Sequence, residues 1–426
     1  MLNKSRIFAL ALVPVMLFTN AVFASEPPTN ETGTTTASEE FVPGTSSIRK
    51  ILRMPVGTIT PNVTFEFEFD KISVDGKTST EALATMPNLI ADNMKVSFTT
   101  DDTDPNEPVN NIISIVKDTG NIFAGATFPH AGIFIYEISE TAKTNSAIDN
   151  NAPHEVLTYS KAAYRVKVYV ANTANFSETY VNAISITPIA AGNGNEIENG
   201  EKTGQMIFVN DFVRTNGAKD PENPDPVRES TLGVSKTVTG DLANRELYFD
   251  FSMTLDIPTL VVDVPEYFRA YVVENNAVVD PSNNANAALI GTDAGGKYIM
   301  ISTEKATEFS LKHGQRLVFV DTPVGTAYTV AEDGAAGYTP SFIITRNGAA
   351  GSPVTGELGQ PLGTGDRLVG ELANSAAFTN SRSSVVPTGV NLNNLPFIGL
   401  IALPLGALCG FIILKTRRRN SASRFL

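Results

Sequence analysis

The stretch "GTAYTVAEDG" (325–334) alternates in a way that poses a chemical problem. Along an extended strand, successive side chains point to opposite faces. Tyr328, Val330 and Glu332 then share one face, and Thr329, Ala331 and Asp333 share the other. A carboxylate therefore joins the apolar side. The same thing happens in "AGIFIYEISET" (131–141), where Phe134, Tyr136, Ile138 and Glu140 are in phase. An isolated buried carboxylate is costly enough that it must find partners or hold its proton. Two strands with the same anomaly call for compensation elsewhere in the chain.

The surrounding pattern is all-β. "TFEFEFD" (64–70) puts Phe65, Phe67 and Phe69 on one face and acids on the other. "AYRVKVYV" (163–170) places Tyr164, Val166, Val168 and Val170 inward, and "LYFDFSMTL" (247–255) does so with Leu247, Phe249, Phe251, Met253 and Leu255. Turn-rich segments separate these runs: "PNEPVNN" (105–111), "AGNGNEIENGEKTG" (191–204) and "DGAAG" (333–337). Many short alternating strands between Gly, Pro and Asn turns predict β-sandwiches. A short helix is expected within 81–95, interrupted by Pro87. The three prolines of "TNGAKDPENPDPVRES" (215–230) read as a stiff linker. The predicted fold is two tandem immunoglobulin-like sandwiches, residues 48–214 and 231–382.

The two halves repeat one arrangement. Each opens on a strand with an inward lysine: Ile48, Lys50, Leu52 and Met54 are in phase, as are Leu232, Val234, Lys236 and Val238. A phenylalanine-rich strand follows, at Phe65 and at Phe249. The inward glutamate comes next. Each half closes on a strand with an inward asparagine: Met206, Phe208, Asn210 and Phe212, then Ala376, Phe378 and Asn380. This order supplies the compensation. Desolvation favours a neutral lysine amine and a protonated glutamate. A neutral amine is a nucleophile. A glutamic acid can polarise the asparagine carbonyl and pass its proton to departing ammonia. The product, an amide between lysine Nζ and asparagine Cγ, is uncharged. Lys71 is also in phase with Phe65, Phe67 and Phe69, but Asp256 follows Leu255 at the matching place in the second half, so Lys50 is preferred.

The ends carry processing signals. Residues 1–24 have a short basic start (Lys4, Arg6), an apolar run broken by Pro14 and Asn20, and Val22-Phe23-Ala24 before Ser25, the pattern of a secretory signal peptide. Residues 25–47 are Ser/Thr/Glu/Pro-rich and read as a disordered leader. In the terminal segment 383–426, Leu395 to Leu414 is an uncharged stretch of bilayer-spanning length, followed by Lys415, Arg417, Arg418 and Arg419. Upstream stands "VPTG", Val386, Pro387, Thr388 and Gly389. The only cysteine, Cys409, lies in this tail, so the exported part has no disulfide. Removing 1–24 and everything after Thr388 takes away seven basic residues and no acid, so the formal charge goes from −13 to −20. Such a surface disfavours nucleic acid as a partner.

"VPTG", a span and a basic tail resemble the sorting signal of Gram-positive surface proteins, in a variant used by pilus-specific sortases. Lysine strand, "Y-x-[VI]-x-E" strand and "F-x-N" strand, twice, resemble the two-domain streptococcal T-antigen type of major pilin. The resemblance spans nearly the whole mature chain. It implies self-formed Lys–Asn isopeptide bonds, Lys50–Asn210 with Glu140 and Lys236–Asn380 with Glu332, and no enzymatic activity beyond that self-directed step. It implies a pilus-specific sortase that cleaves between Thr388 and Gly389, other copies of the chain and minor pilins as partners, and attachment to pilus or peptidoglycan at the cell surface. The subunit-joining lysine falls in the loop before the first asparagine strand, where Lys202 stands; Lys219 in the linker is the alternative. A monomeric wall-anchored adhesin, or a minor pilin, would use the same parts. Neither the host ligand nor the sortase is named by the sequence.

No cofactor or metal is expected. His130, His154 and His313 have no partners at metal-ligand spacing. Asp101, Asp102 and Asp104 share a loop that lacks the glycine and terminal glutamate of an EF-hand. No phosphate loop, nucleophile elbow or reactive thiol is present.

Overall fold

The computed structural model describes residues 46–146, 148, 155–215 and 223–383, with the side chains of 143–146 left aside. The segments expected to be signal peptide, leader, sorting motif and apolar tail lie outside these residues, as do Lys219 and His154. Nearly all regular structure is strand.

The described residues of the first unit form nine strands: β1 (Ile48–Pro55), β2 (Val63–Val74), β3 (Lys95–Phe98), β4 (Ile112–Asp118), β5 (Gly132–Ser146), β6 (Glu155–Thr158), β7 (Ala163–Asn172), β8 (Thr179–Ala190) and β9 (Met206–Arg214). They form two sheets, β4-β1-β9-β6 and β3-β2-β5-β7-β8. The expected helix is a single turn, Thr80–Ala84, capped by the Ser79 hydroxyl, with a 3-10 turn at Ala91–Met94 beyond Pro87.

The second unit contains β10 (Leu232–Thr239), β11 (Phe249–Asp256), β12 (Tyr267–Glu274), β13 (Ala277–Val278), β14 (Ile290–Asp293), β15 (Gly296–Ser302), β16 (Thr307–Leu311), β17 (Gln315–Phe319), β18 (Ala327–Glu332) and β19 (Thr339–Arg346). The ribbons β20 (Ala349–Ala350), β21 (Val354–Thr355), β22 (Leu362–Gly363) and β23 (Arg367–Leu368) precede the closing strand β24 (Ser375–Ser381). One sheet runs β14-β15-β12-β17-β10-β24-β19-β20, and the other runs β16-β11-β18-β22.

Each unit thus packs sheet on sheet around its own apolar core. Period-two alternation decides which residues enter it. Ile48, Leu52, Met54, Met206, Phe208 and Phe212 are fully buried in the first, as are Leu232, Val234 and Val238 in the second. Leu247 breaks the expected pattern. It is 38% exposed, in the turn before β11, because the strand begins only at Phe249.

One feature recurs in both units. The first and last strands lie side by side and run parallel: β1 with β9, and β10 with β24. Lys50 sits opposite Phe208, and Lys236 opposite Phe378. Each asparagine is two residues beyond that phenylalanine, so it shares the lysine's face.

The units touch through a small polar joint. Arg214, at the end of β9, donates to Glu371 at 3.0 Å, and the Ile59 N–H donates to the other Glu371 oxygen at 2.7 Å. The Val324 N–H donates to the Arg214 carbonyl at 2.9 Å. Gly325 has φ +84°, and a Cβ there would come within 2.3 Å of Pro55 Cβ. Gly325→Val is therefore expected to strain its own backbone and push the units apart. Calorimetry should show a loss of about 1–3 kcal/mol, with a larger hydrodynamic radius; unchanged melting and radius would show that the two units do not close on Gly325.

Candidate functional site

The two lysines, two glutamates and two asparagines lie in two matching clusters. In the first unit Lys50 Nζ is 2.8 Å from both Glu140 carboxylate oxygens, and Asn210 Nδ2 donates to Glu140 Oε1 at 2.7 Å. In the second, Lys236 Nζ donates to Glu332 Oε1, and Asn380 Nδ2 donates to the same oxygen at 2.7 Å. The lysine and asparagine come from the parallel strand pair of one sheet. The glutamate reaches them from the facing sheet, on β5 and on β18.

The phenylalanines frame each cluster in the same way. Glu140 is paired with Phe67 across the strands, and Glu332 with Phe251. Two residues earlier, Phe65 lies 4.3 Å from Lys50 Nζ and Phe249 lies 4.1 Å from Lys236 Nζ, each ring presenting its face to the amine. Phe67 also packs on Phe208 with ring centroids 4.9 Å apart, and Phe251 on Phe378 at 5.2 Å. The phenylalanine run is thus the wall that keeps water from the polar triad.

Burial sets the electrostatics. Both lysine side chains and both glutamate side chains are 0% exposed. Desolvation pulls Lys50 down to about 8 against the opposing pull of Glu140, and Lys236 down to about 8 against Glu332. Desolvation also raises both glutamates, opposed by their lysines. The two effects push each pair toward its uncharged form, amine and carboxylic acid.

The geometry alters one detail of the expected chemistry. Each glutamate faces the amide nitrogen of its asparagine, and the carbonyl oxygen points elsewhere. Asn210 Oδ1 accepts from the Ser160 backbone N–H at 2.7 Å. The glutamate is therefore placed to carry a proton from the lysine amine to the departing nitrogen. No side-chain pattern in the sequence singles out Ser160, because its contact is through the backbone N–H.

Other candidates sit apart from these clusters. Lys71 donates to the Met86 carbonyl at 2.6 Å and makes no contact with Glu140 or Asn210. Lys202 is exposed in the segment that enters β9. Asp102 accepts from Thr99 and Lys117, and Asp104 from Asn106 and Ser114, so both organise their own loop. Among the described residues no group of three His, Cys, Asp or Glu is placed to hold a metal. His313 Nδ1 accepts the Val238 N–H, a structural bond.

In a protein unable to cross-link, this burial predicts a pH signature. Lys50 has a lower pKa folded than unfolded, so the unfolded chain holds the extra proton between about pH 8 and pH 10.5. Stability then rises with pH across that window. Urea titrations of Asn210→Ala should show this rise, and Asn210→Ala/Lys50→Met should lack it. Equal pH slopes in the two proteins would contradict the depressed lysine.

A family described as "Domain of unknown function (DUF7601)" matches residues 230–382, the second unit. A curated relative, "Pilin" from Streptococcus pyogenes serotype M1, is 22% identical over 292 residues, covering 68% of this chain and 69% of the relative. Among solved structures, the major pilin from Streptococcus pyogenes aligns with 80% of this chain and 99% of that one, at 19% identity and a TM-score of 0.33. A pilus-presented adhesin aligns with 52% of this chain and 37% of its own, at 15% identity and a TM-score of 0.21. The resemblance to streptococcal pilins carried by the short motifs thus extends, at low identity, over two thirds of the chain.

Proposed function

We propose that this protein is a shaft subunit of a covalently polymerised pilus on a Gram-positive cell surface. The observation that carries the reading is the Lys–Glu–Asn cluster, built twice from the same strands in the same order. Similarity to a streptococcal pilin agrees with it.

In each unit the buried pair shares one proton. When it sits on the glutamate, the lysine amine is free to attack the asparagine Cγ. The glutamic acid then protonates the departing nitrogen, which leaves as ammonia, and its carboxylate takes up the proton that the former lysine nitrogen gives up. Lys50 becomes joined to Asn210 and Lys236 to Asn380. The reaction is intramolecular and single-turnover, with no external substrate. The phenylalanine wall keeps water from competing.

Polymerisation uses a different lysine. A sortase would cleave between Thr388 and Gly389, hold the Thr388 carbonyl as a thioester and pass it to Lys202 of the next copy. Exposure of Lys202 supports this choice. The same acyl transfer to a peptidoglycan amine would anchor the finished pilus to the wall.

The purified protein is expected to weigh two ammonia molecules less than its sequence. Glu140→Ala and Glu332→Ala should each restore one, and Lys71→Met should restore none. A full calculated mass in the unmutated protein would remove the cross-linking reading. In the native cell, boiled wall extracts should give a regular high-mass ladder on an immunoblot. Lys202→Arg should abolish the ladder with both internal bonds intact. A single band at monomer mass from unmutated cells would favour a monomeric adhesin, and a ladder lost only with Lys219→Arg would move the joint into the linker.

Load is expected to divide unequally. Tension from Lys202 enters β9 at its first end and leaves at Arg214, so only one strand of the first unit lies in the path. In the second unit it enters at β10 and leaves at β24, the strands joined by Lys236 and Asn380. Single-molecule pulling between Lys202 and Thr388 should show unfolding extension in Glu332→Ala and little in Glu140→Ala. Equal extension of Glu332→Ala and the unmutated protein would refute this path.

A further inference from the structure

The two clusters differ at one atom. Asn210 Oδ1 accepts the Ser160 N–H at 2.7 Å, and both residues are buried. Asn380 Oδ1 is equally buried and has no hydrogen-bond partner, and neither does Glu332 Oε2 beside it. The cause lies in the neighbouring strand. β6 pairs with β9 as far as Thr158 opposite Asp211 and then leaves the sheet. Two residues later Ser160 turns its N–H inward. Its backbone is held there by the Ala162 N–H on Ser160 Oγ and by the Lys161 N–H on the Gly192 carbonyl at 2.9 Å. In the second unit the neighbour β19 stays in the ladder, and the residue opposite Asn380 is Pro340, which has no N–H.

We infer that the Ser160 N–H is a one-donor oxyanion hole for the first cross-link, and that the second unit forms its cross-link without one. The inference rests on the proposed cross-linking. As Lys50 Nζ attacks, the new N–C bond forms and the carbonyl π pair moves onto Asn210 Oδ1. Negative charge develops at the atom already facing the Ser160 N–H. The intermediate then collapses: the C=O π bond re-forms, the Cγ–Nδ2 bond breaks, the departing nitrogen takes the proton held on Glu140, and Glu140 takes one from the former lysine nitrogen, which is left as an amide N–H. Amine plus primary amide gives secondary amide plus ammonia, with no other reactant. At Asn380 the same charge develops with no donor set in advance.

A single preorganised donor of this kind is worth about 10²–10³ in rate. The expected advantage of the first unit is therefore at least about tenfold.

The test is an isotope pulse and chase of the full chain in expressing cells. Aliquots are quenched in acid and digested, and the Lys50–Asn210 and Lys236–Asn380 peptides are quantified by mass spectrometry. The first should form at least about tenfold faster than the second. Equal half-times, or a faster second bond, would overturn the inference. Ser160→Pro removes the N–H and should slow the first bond toward the rate of the second. An unchanged rate in folded Ser160→Pro would also overturn it; if that variant fails to fold, the comparison within the unmutated chain decides. Absence of both linked peptides would be a different failure, that of the cross-linking reading itself.

Discussion

A lysine amine buried beside a carboxylate in a phenylalanine-lined core is the constraint on which the rest depends. As an ion pair it is a poor source of stability, because desolvation offsets most of the attraction, and losing one partner leaves a charge stranded at a cost of about 3–5 kcal/mol. As a neutral pair it is a nucleophile and an acid held in contact. The features that make the site unfavourable for charges, zero exposure and aromatic walls, are those that make an amide-forming reaction favourable. The proposed cross-linking would account for the burial of the Lys50, Glu140, Lys236 and Glu332 side chains, where ionisable residues are rare.

The chain topology gives the proposed bond its leverage. The first and last strands of each unit are neighbours, so a bond between them closes 160 residues in the first unit and 144 in the second, from Lys50 to Asn210 and from Lys236 to Asn380. By the chain-entropy account of cross-links, closures of that size stabilise by about 5 kcal/mol each, with the mechanism model-dependent. The parallel pairing matters as much as the length. Tension that enters one of the parallel strands at its start and leaves the other at its end shears them past one another, and a link between their side chains takes that shear before the backbone ladder does.

Much of this was legible in the sequence because strand periodicity is exact. Residues two apart share a face, so Lys50 with Leu52, Val330 with Glu332 and Phe378 with Asn380 could be placed inside from spacing alone. The matching of two halves then separated Lys50 from Lys71, which the structure places against the Met86 carbonyl. What stayed hidden was whatever does not reside in a side-chain pattern. Leu247 continued the alternation on paper, but the strand had not yet begun. Ser160 contributes a backbone N–H at a strand's exit, which any residue except proline could supply. Glu371 holds the two units together through one arginine and one backbone N–H, partners 157 and 312 residues away. The Asn amide direction was also invisible: only the fold shows the glutamate on its nitrogen side.

The absence of cysteine from 25–388 completes the argument. A surface protein held by disulfides depends on an oxidant to form them and remains open to exchange with external thiols. The proposed amide needs neither. Its reactants are two side chains, its catalyst is a third, its by-product is ammonia, and its driving condition is the exclusion of water that folding itself brings about. Bond formation is then a report on folding: a unit whose two sheets have not closed leaves the glutamate in one sheet away from the lysine and asparagine in the other, and stays uncross-linked. Placing the glutamate on the opposite sheet from its partners therefore couples the covalent step to completion of the sandwich, so that only a correctly packed unit is locked.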